Sequence, residues 1–199
     1  LHTFKDGQII GDGRSDFTQE AKIYNFSYNN QKFAFIDVPG IEGDEKKVID
    51  EISLSVKKAH AIFYITSSPT APQKGDENKK GTLEKIKEHL GSQTEVYTIF
   101  NKRINNPMQL NKLFDDDEDN DEIKSLKDLD KKIFEVLGEN YVGHKKISSK
   151  IVFLAIADCL PKETTQYNER IKFLEKYSSD ELLEKSLFNN FCQFITNEM

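Results

Sequence analysis

Cysteine is scarce: Cys159 and Cys192 are the two among 199 residues. Two thiols build no disulfide framework and suit a reducing cytosol. Both stand in apolar stretches, so they read as buried, inert thiols rather than redox or metal groups. Long apolar runs are absent too. None approaches the roughly 18 residues of a membrane span. The chain reads without a signal peptide, and its start at Leu1 rather than Met is what a fragment would show. Positive charge is in deficit, with 28 Lys and Arg against 34 Asp and Glu, a net charge of -6 and a pI near 5.4. That balance argues against nucleic acid or an anionic membrane surface as the main partner, while leaving room for a local basic patch.

What is present is 37% hydrophobic and 31% charged residues, enough for one cored domain with a heavily charged surface. The patterning alternates strands and helices, an α/β class. Glu20 to Tyr28 alternates apolar and polar, Asn29-Asn30 turns, and Lys32 to Val38 returns, giving an antiparallel hairpin. Asp44 to Lys58 carries Val48, Ile49, Ile52 and Val56 at helical spacing. Ala61 to Thr66 is a continuous apolar run, expected of a strand buried on both faces. Thr82 to Leu90 reads as a helix ending at Gly91, Glu95 to Asn101 as a strand, and Ile123 to Leu137 as a helix stopped by Gly138. Lys150 to Ala157 reads as the last strand. Ser178 and Glu181 form a capping box, and the helix they open carries Leu183, Leu187, Phe191 and Phe194 or Ile195 on one face. The sum is an antiparallel edge hairpin feeding a mostly parallel sheet with right-handed crossover helices.

Chemistry concentrates at strand ends. Phe33 to Asp37 is an apolar run ending in a carboxylate, followed by Val38-Pro39-Gly40. Such a strand presents Asp37 at its carboxyl end and a bare Gly40 N–H beside it, the arrangement of an Mg²⁺-phosphate edge. An ordinary strand-to-helix turn has the same composition. Thr18 lies 19 positions ahead of Asp37 in a loop of Gly, Asp and Ser that suits a segment ordering on ligand binding. Asn101-Lys102 ends the strand from Glu95, where it suits packing a base. The small residues Leu154 to Ala157 would let a ring lie against backbone. Asp115, Asp117 and Asp119 have the first spacings of a calcium loop, but Asn120 and Leu126 fill the positions needing Gly and Glu, so the run reads as a solvated loop. His2, His60, His89 and His144 have no ligand spacing, and His60 reads as structural.

Taken in order, Thr18, Asp37-Val38-Pro39-Gly40 and Asn101-Lys102 resemble the motifs of a dynamin-like GTPase, a branch of the Ras-like P-loop GTPases, and the phrasing around them looks most like bacterial LeoA-type proteins. The resemblance implies a three-layer fold and a partial G domain over residues 1–199, with switch I about 9–19, switch II about 37–47 and the base-binding loop about 101–107. It implies Thr18 and Gly40 as γ-phosphate sensors in catalysis. Thr18 and, through a water, Asp37 would hold Mg²⁺. Asp37, Gly40, Asn101, Lys102 and Ala157 would contact GTP or GDP. It further implies GTP hydrolysis, G-domain self-association, a cytoplasmic location with peripheral contact at the inner membrane face, and a helical stalk outside this chain.

Three departures qualify it. No G-x-x-x-x-G-K-[ST] occurs anywhere, and Gly11-x-Gly13 follows no strand. The missing loop and the central strand before it are expected upstream of Leu1, so that the strands ending at Asp37 and Thr66 face each other with unpaired inner edges. Ile104 stands where a guanine-reading Asp is expected, leaving Asn105 or Asn106 as substitutes. Ile41 stands where some relatives place a water-orienting Gln. The chain is therefore expected to hydrolyse GTP weakly or not at all. The alternative is a degenerate G domain that serves as a nucleotide-independent interaction module. Asp37, Thr66 and Lys102 would also suit a phosphoacceptor receiver, but the hairpin and the lack of an acidic pair after the first strand argue against one.

Overall fold

The computed structural model describes residues 21–28, 30–38, 52–72, 80–114 and 120–198. Strands β1 (Lys22–Tyr28) and β2 (Gln31–Asp37) form the expected antiparallel hairpin, with Asn30 at a φ of 65° in its turn. Asn tolerates that left-handed backbone because its short polar side chain bonds locally. Strands β3 (Ala61–Thr66), β4 (Glu95–Asn101) and β5 (Tyr141–Ile147) form a parallel sheet in the order β3-β4-β5. Among the described residues no strand joins hairpin to sheet. Among the described residues, β2 pairs with β1 alone and β3 with β4 alone.

Layers form on both faces of the sheet because β4 alternates. Val96 and Phe100 point into one cluster with Leu83 of α1 (Thr82–Lys87) and Leu126, Leu129, Ile133 and Leu137 of α2 (Asp121–Leu137). Tyr97 points the other way, against Phe194 and Ile195 of α6 (Phe188–Asn197). Helix on sheet on helix is the three-layer arrangement of an α/β domain. Helix α2 is cut cleanly at both ends: the Asn120 side chain accepts from the Glu122 N–H at 2.9 Å, and Gly138 takes a φ of 63° at the C-cap.

The C-terminal third departs from the sequence reading. The last strand is Tyr141–Ile147, and the run read as a strand is helix α3 (Ser149–Ile156). A short apolar run does not distinguish the two by periodicity. Ile151, Val152, Leu154 and Ala155 bury at helical spacing against Phe173 of α4 (Thr165–Leu174) and Leu182 of α5 (Ser179–Lys185). Strand β5 is hidden in sequence because Gly143, Lys145 and Lys146 interrupt it. As an edge strand it tolerates lysines, whose stems lie over rings: Lys145 Nζ stands 4.2 Å from the Phe194 ring centroid. The capping box is present, with the Glu181 N–H donating to Ser178 Oγ and the Ser178 N–H to Glu181 Oε2. The helix it opens is short. Leu187 takes a left-handed φ of 59° and breaks the single helix expected there into α5 and α6.

Smaller corrections follow the same logic. Helix α1 ends at Lys87, ahead of Gly91. Of the expected helix over 44–58, residues 52–56 are helical and 44–51 lie outside the described residues. Cys159 is exposed rather than buried, while Cys192 is half-buried, and that burial pushes its thiol pKa up. Strand β2 is half-exposed rather than buried, with Phe35 at 39%. Among the described residues, no helix is long and apolar enough to cross a membrane.

Candidate functional site

Parallel strands end together, so the turns after β4 and β5 share one edge of the sheet. Asn101 pairs in register with Ile147, and the Lys102 N–H donates to the Ile147 carbonyl at 2.9 Å, carrying the ladder one step past the strand. At that point the Asn101 side chain crosses to the next turn. Its Oδ1 accepts from both the Ser149 N–H and the Ser149 hydroxyl, each at 3.0 Å. Asn101 thus locks the end of β4 to the first turn of α3.

Beside it, Lys102 Nζ lies 2.8 Å from Glu122 Oε2 in the first turn of α2. Both side chains are about three-quarters buried, so the ammonium is held in place rather than sweeping through solvent. Lys150 Nζ donates to Asn105 Oδ1 at 2.6 Å and to Glu169 Oε1 at 3.0 Å, tying α3 to the loop after β4 and to α4. Ser148, between β5 and α3, is fully buried; its N–H donates to the Ser186 carbonyl, but its hydroxyl has no partner among the described residues. Leaving such a group unpaired costs about 1–3 kcal/mol.

Ile104 is 5% exposed and packs with Leu110, Leu113 and Ile151. The position is a core position here, which is why it holds no carboxylate. The two substitutes are occupied: Asn105 Oδ1 takes Lys150, and Asn106 Oδ1 accepts from the Met108 N–H as the cap of the short 3-10 helix Pro107–Lys112.

Asp37 is the last residue of β2 and is exposed. Thr18, Gly40 and all of 9–19 and 39–47 lie outside the described residues, as does the acidic run 115–119. Ala157 caps α3 and is 7% exposed, so the ground for placing it at a strand end is gone. The residues that sequence reasoning missed are Ser148, Ser149 and Lys150. The signal was a Ser-Ser-Lys between the lysine-bearing β5 and an apolar run, legible only once that run is a helix.

Among the described residues, no three His, Cys, Asp or Glu side chains cluster as a metal site. The family model of 50S ribosome-binding GTPases matches residues 7–102, from the segment before β1 through Lys102. No curated protein matches the chain. The family match and the α/β architecture together support a P-loop GTPase G domain, with its general use of GTP and Mg²⁺.

Proposed function

We propose that this chain is the G domain of a dynamin-like GTPase, which binds and hydrolyses GTP to drive conformational work at a membrane through regions outside it. Asn101 and Lys102 hold the base, with Ser149 fixing Asn101. Asp37 organises Mg²⁺ through a water, Thr18 completes the metal's ligands, and Gly40 senses the γ-phosphate. Pairing of two G domains completes the site, since Ile41 supplies no water-orienting amide. The observation that carries the reading is the double bond from Ser149 to Asn101 Oδ1 beside Lys102, at the carboxyl edge of a parallel sheet. In open α/β sheets that edge is where ligands bind. Because the sequence has no G-x-x-x-x-G-K-[ST], the 199-residue chain holds the nucleotide weakly and turns it over slowly or not at all.

Fluorescence titration with N-methylanthraniloyl-GTP and Mg²⁺ tests this. Weak saturable binding is expected, reduced roughly tenfold in Asn101→Ala, the loss of about 1.4 kcal/mol. Identical curves for the two proteins would overturn the assignment of the base site.

A second reading, a degenerate G domain acting as an interaction module, is favoured by the burial of Ile104, which leaves no carboxylate to read guanine. Micromolar, Mg²⁺-dependent GTP binding would exclude it.

A further inference from the structure

The geometry points to Glu122 as a positioning residue for the base site. Its carboxylate anchors the Lys102 ammonium, so that the methylene stem is fixed as a wall for the base before a nucleotide arrives. The role rests on the nucleotide-binding reading above and brings to it a residue from a separate element.

Lys102 is held at both ends. It follows the last residue of β4, and its N–H donates to the Ile147 carbonyl of β5 at 2.9 Å. At the far end, Nζ stands 2.9 Å from Glu122 Oε1 and 2.8 Å from Oε2, so the ammonium straddles the carboxylate and both oxygens hold it. The methylene stem between them therefore runs from the strand end to the helix start, at the edge where Asn101 meets Ser149. A lysine stem is an apolar surface once its charged head is satisfied elsewhere. Here 25% of the side chain stays open to solvent while the head is paired.

Glu122 is itself held. Its N–H is the one that the Asn120 side chain caps, at 2.9 Å, so the cap sets the backbone from which the carboxylate leaves. The rest of α2 is pinned under the sheet by Leu126, Leu129, Ile133 and Leu137. The first turn of a helix, at the positive end of its dipole, also suits an anion. The carboxylate beside Lys102 thus comes from α2, while position 104 is a core isoleucine.

An anchor has a signature of its own. A free lysine gives up the freedom of a long flexible stem when a ring lies on it. A stem anchored in advance gives up less, a difference of roughly threefold to tenfold in affinity. Stacking is indifferent to the groups on the base edge, since every base has a π-face. An anchored stem therefore strengthens guanine, hypoxanthine and adenine nucleotides alike. A carboxylate that read the base edge would favour guanine alone.

The test titrates the full chain and its variants with N-methylanthraniloyl derivatives of GTP, ITP and ATP, each with Mg²⁺ and up to millimolar concentration. Urea melts of the same proteins show which variants are folded. Glu122→Ala weakens all three nucleotides equally, by roughly threefold to tenfold. Glu122→Gln keeps an acceptor for the ammonium and loses roughly twofold. Lys102→Met keeps an unbranched stem without the charge, and in that background Glu122→Ala costs nothing more, because the carboxylate acts through the ammonium. On GTP addition the Lys102 methylene protons shift upfield under the base ring, and shift less in Glu122→Ala. Should Glu122→Ala fail to fold, Glu122→Gln and the Lys102→Met pair decide. A loss confined to GTP overturns the positioning role. So does an equal loss with Lys102 or Met at 102, or binding unchanged in both Glu122 variants. Failure of the parent chain to bind any of the three nucleotides refutes the nucleotide reading itself, and the role with it.

Discussion

Replacing Asp130 with Ala should uncouple α2 from the sheet at a predictable cost. Asp130 Oδ1 accepts from the Tyr141 hydroxyl at 2.5 Å, and Oδ2 lies 2.7 Å from His144 Nδ1. The Tyr141 hydroxyl also sits 3.1 Å from the hydroxyl of fully buried Thr98, so the three strand residues and the helix share one network. A hydrogen bond to a charged acceptor contributes about 1.5–3 kcal/mol, and losing it orphans a phenol that is 6% exposed. The His144 contact is a quarter exposed and adds about 0.2–1 kcal/mol. The sum is about 2–4 kcal/mol, a drop in Tm of roughly 5–12 °C for a domain of this size. Asp130→Asn keeps an acceptor for Tyr141 and loses about half as much. Urea melts of Asp130→Ala, Tyr141→Phe and the double variant form the decisive cycle. The double variant should be less destabilised than the sum of the singles by about 1–2 kcal/mol. Strict additivity would show that the bond contributes nothing, and that the argument from burial is wrong.

Further outcomes follow from other contacts. Burial, then the 2.7 Å bond to Glu95, pushes the Tyr97 phenol up to about 12, and burial and Asp130 push Tyr141 higher still. Unfolded phenols ionise near about 10, so the folded state keeps protons the unfolded state has lost. Stability is fully present below that pH and falls as pH rises toward 12; Tyr97→Phe flattens the decline measured by denaturant melts, and an unchanged slope would contradict the assignment. Ile133→Ala, at 1% exposure in the cluster under the sheet, should cost about 2–5 kcal/mol in the same melts. Ser178→Ala removes one half of the capping box and should cost about 0.5–2 kcal/mol, with Ser178→Thr retaining most of it.

What was legible in the sequence was whatever local chemistry decides. The Asn29-Asn30 hairpin, the Gly138 stop, the box at Ser178 and the strand from Glu95 to Asn101 each appear where their residues put them. What was not legible depends on tertiary context. Strand β5 survives Gly143 and two lysines because it is an edge, and the apolar run after it is a helix because α4 and α5 cover it. That Asn101 and Lys102 stand at a strand end was legible. Ser149 and the buried hydroxyl of Ser148 were not, because finding them required knowing where β5 ends.

The central claim is that a nucleotide base docks at the edge held by Asn101 and Ser149. Amide shift mapping of the labelled chain during titration with GTP and Mg²⁺ tests it most directly. The account predicts progressive shifts at Asn101, Lys102, Ser148 and Ser149, lost in Asn101→Ala. Shifts confined to other parts of the molecule, or none at millimolar GTP, would contradict it.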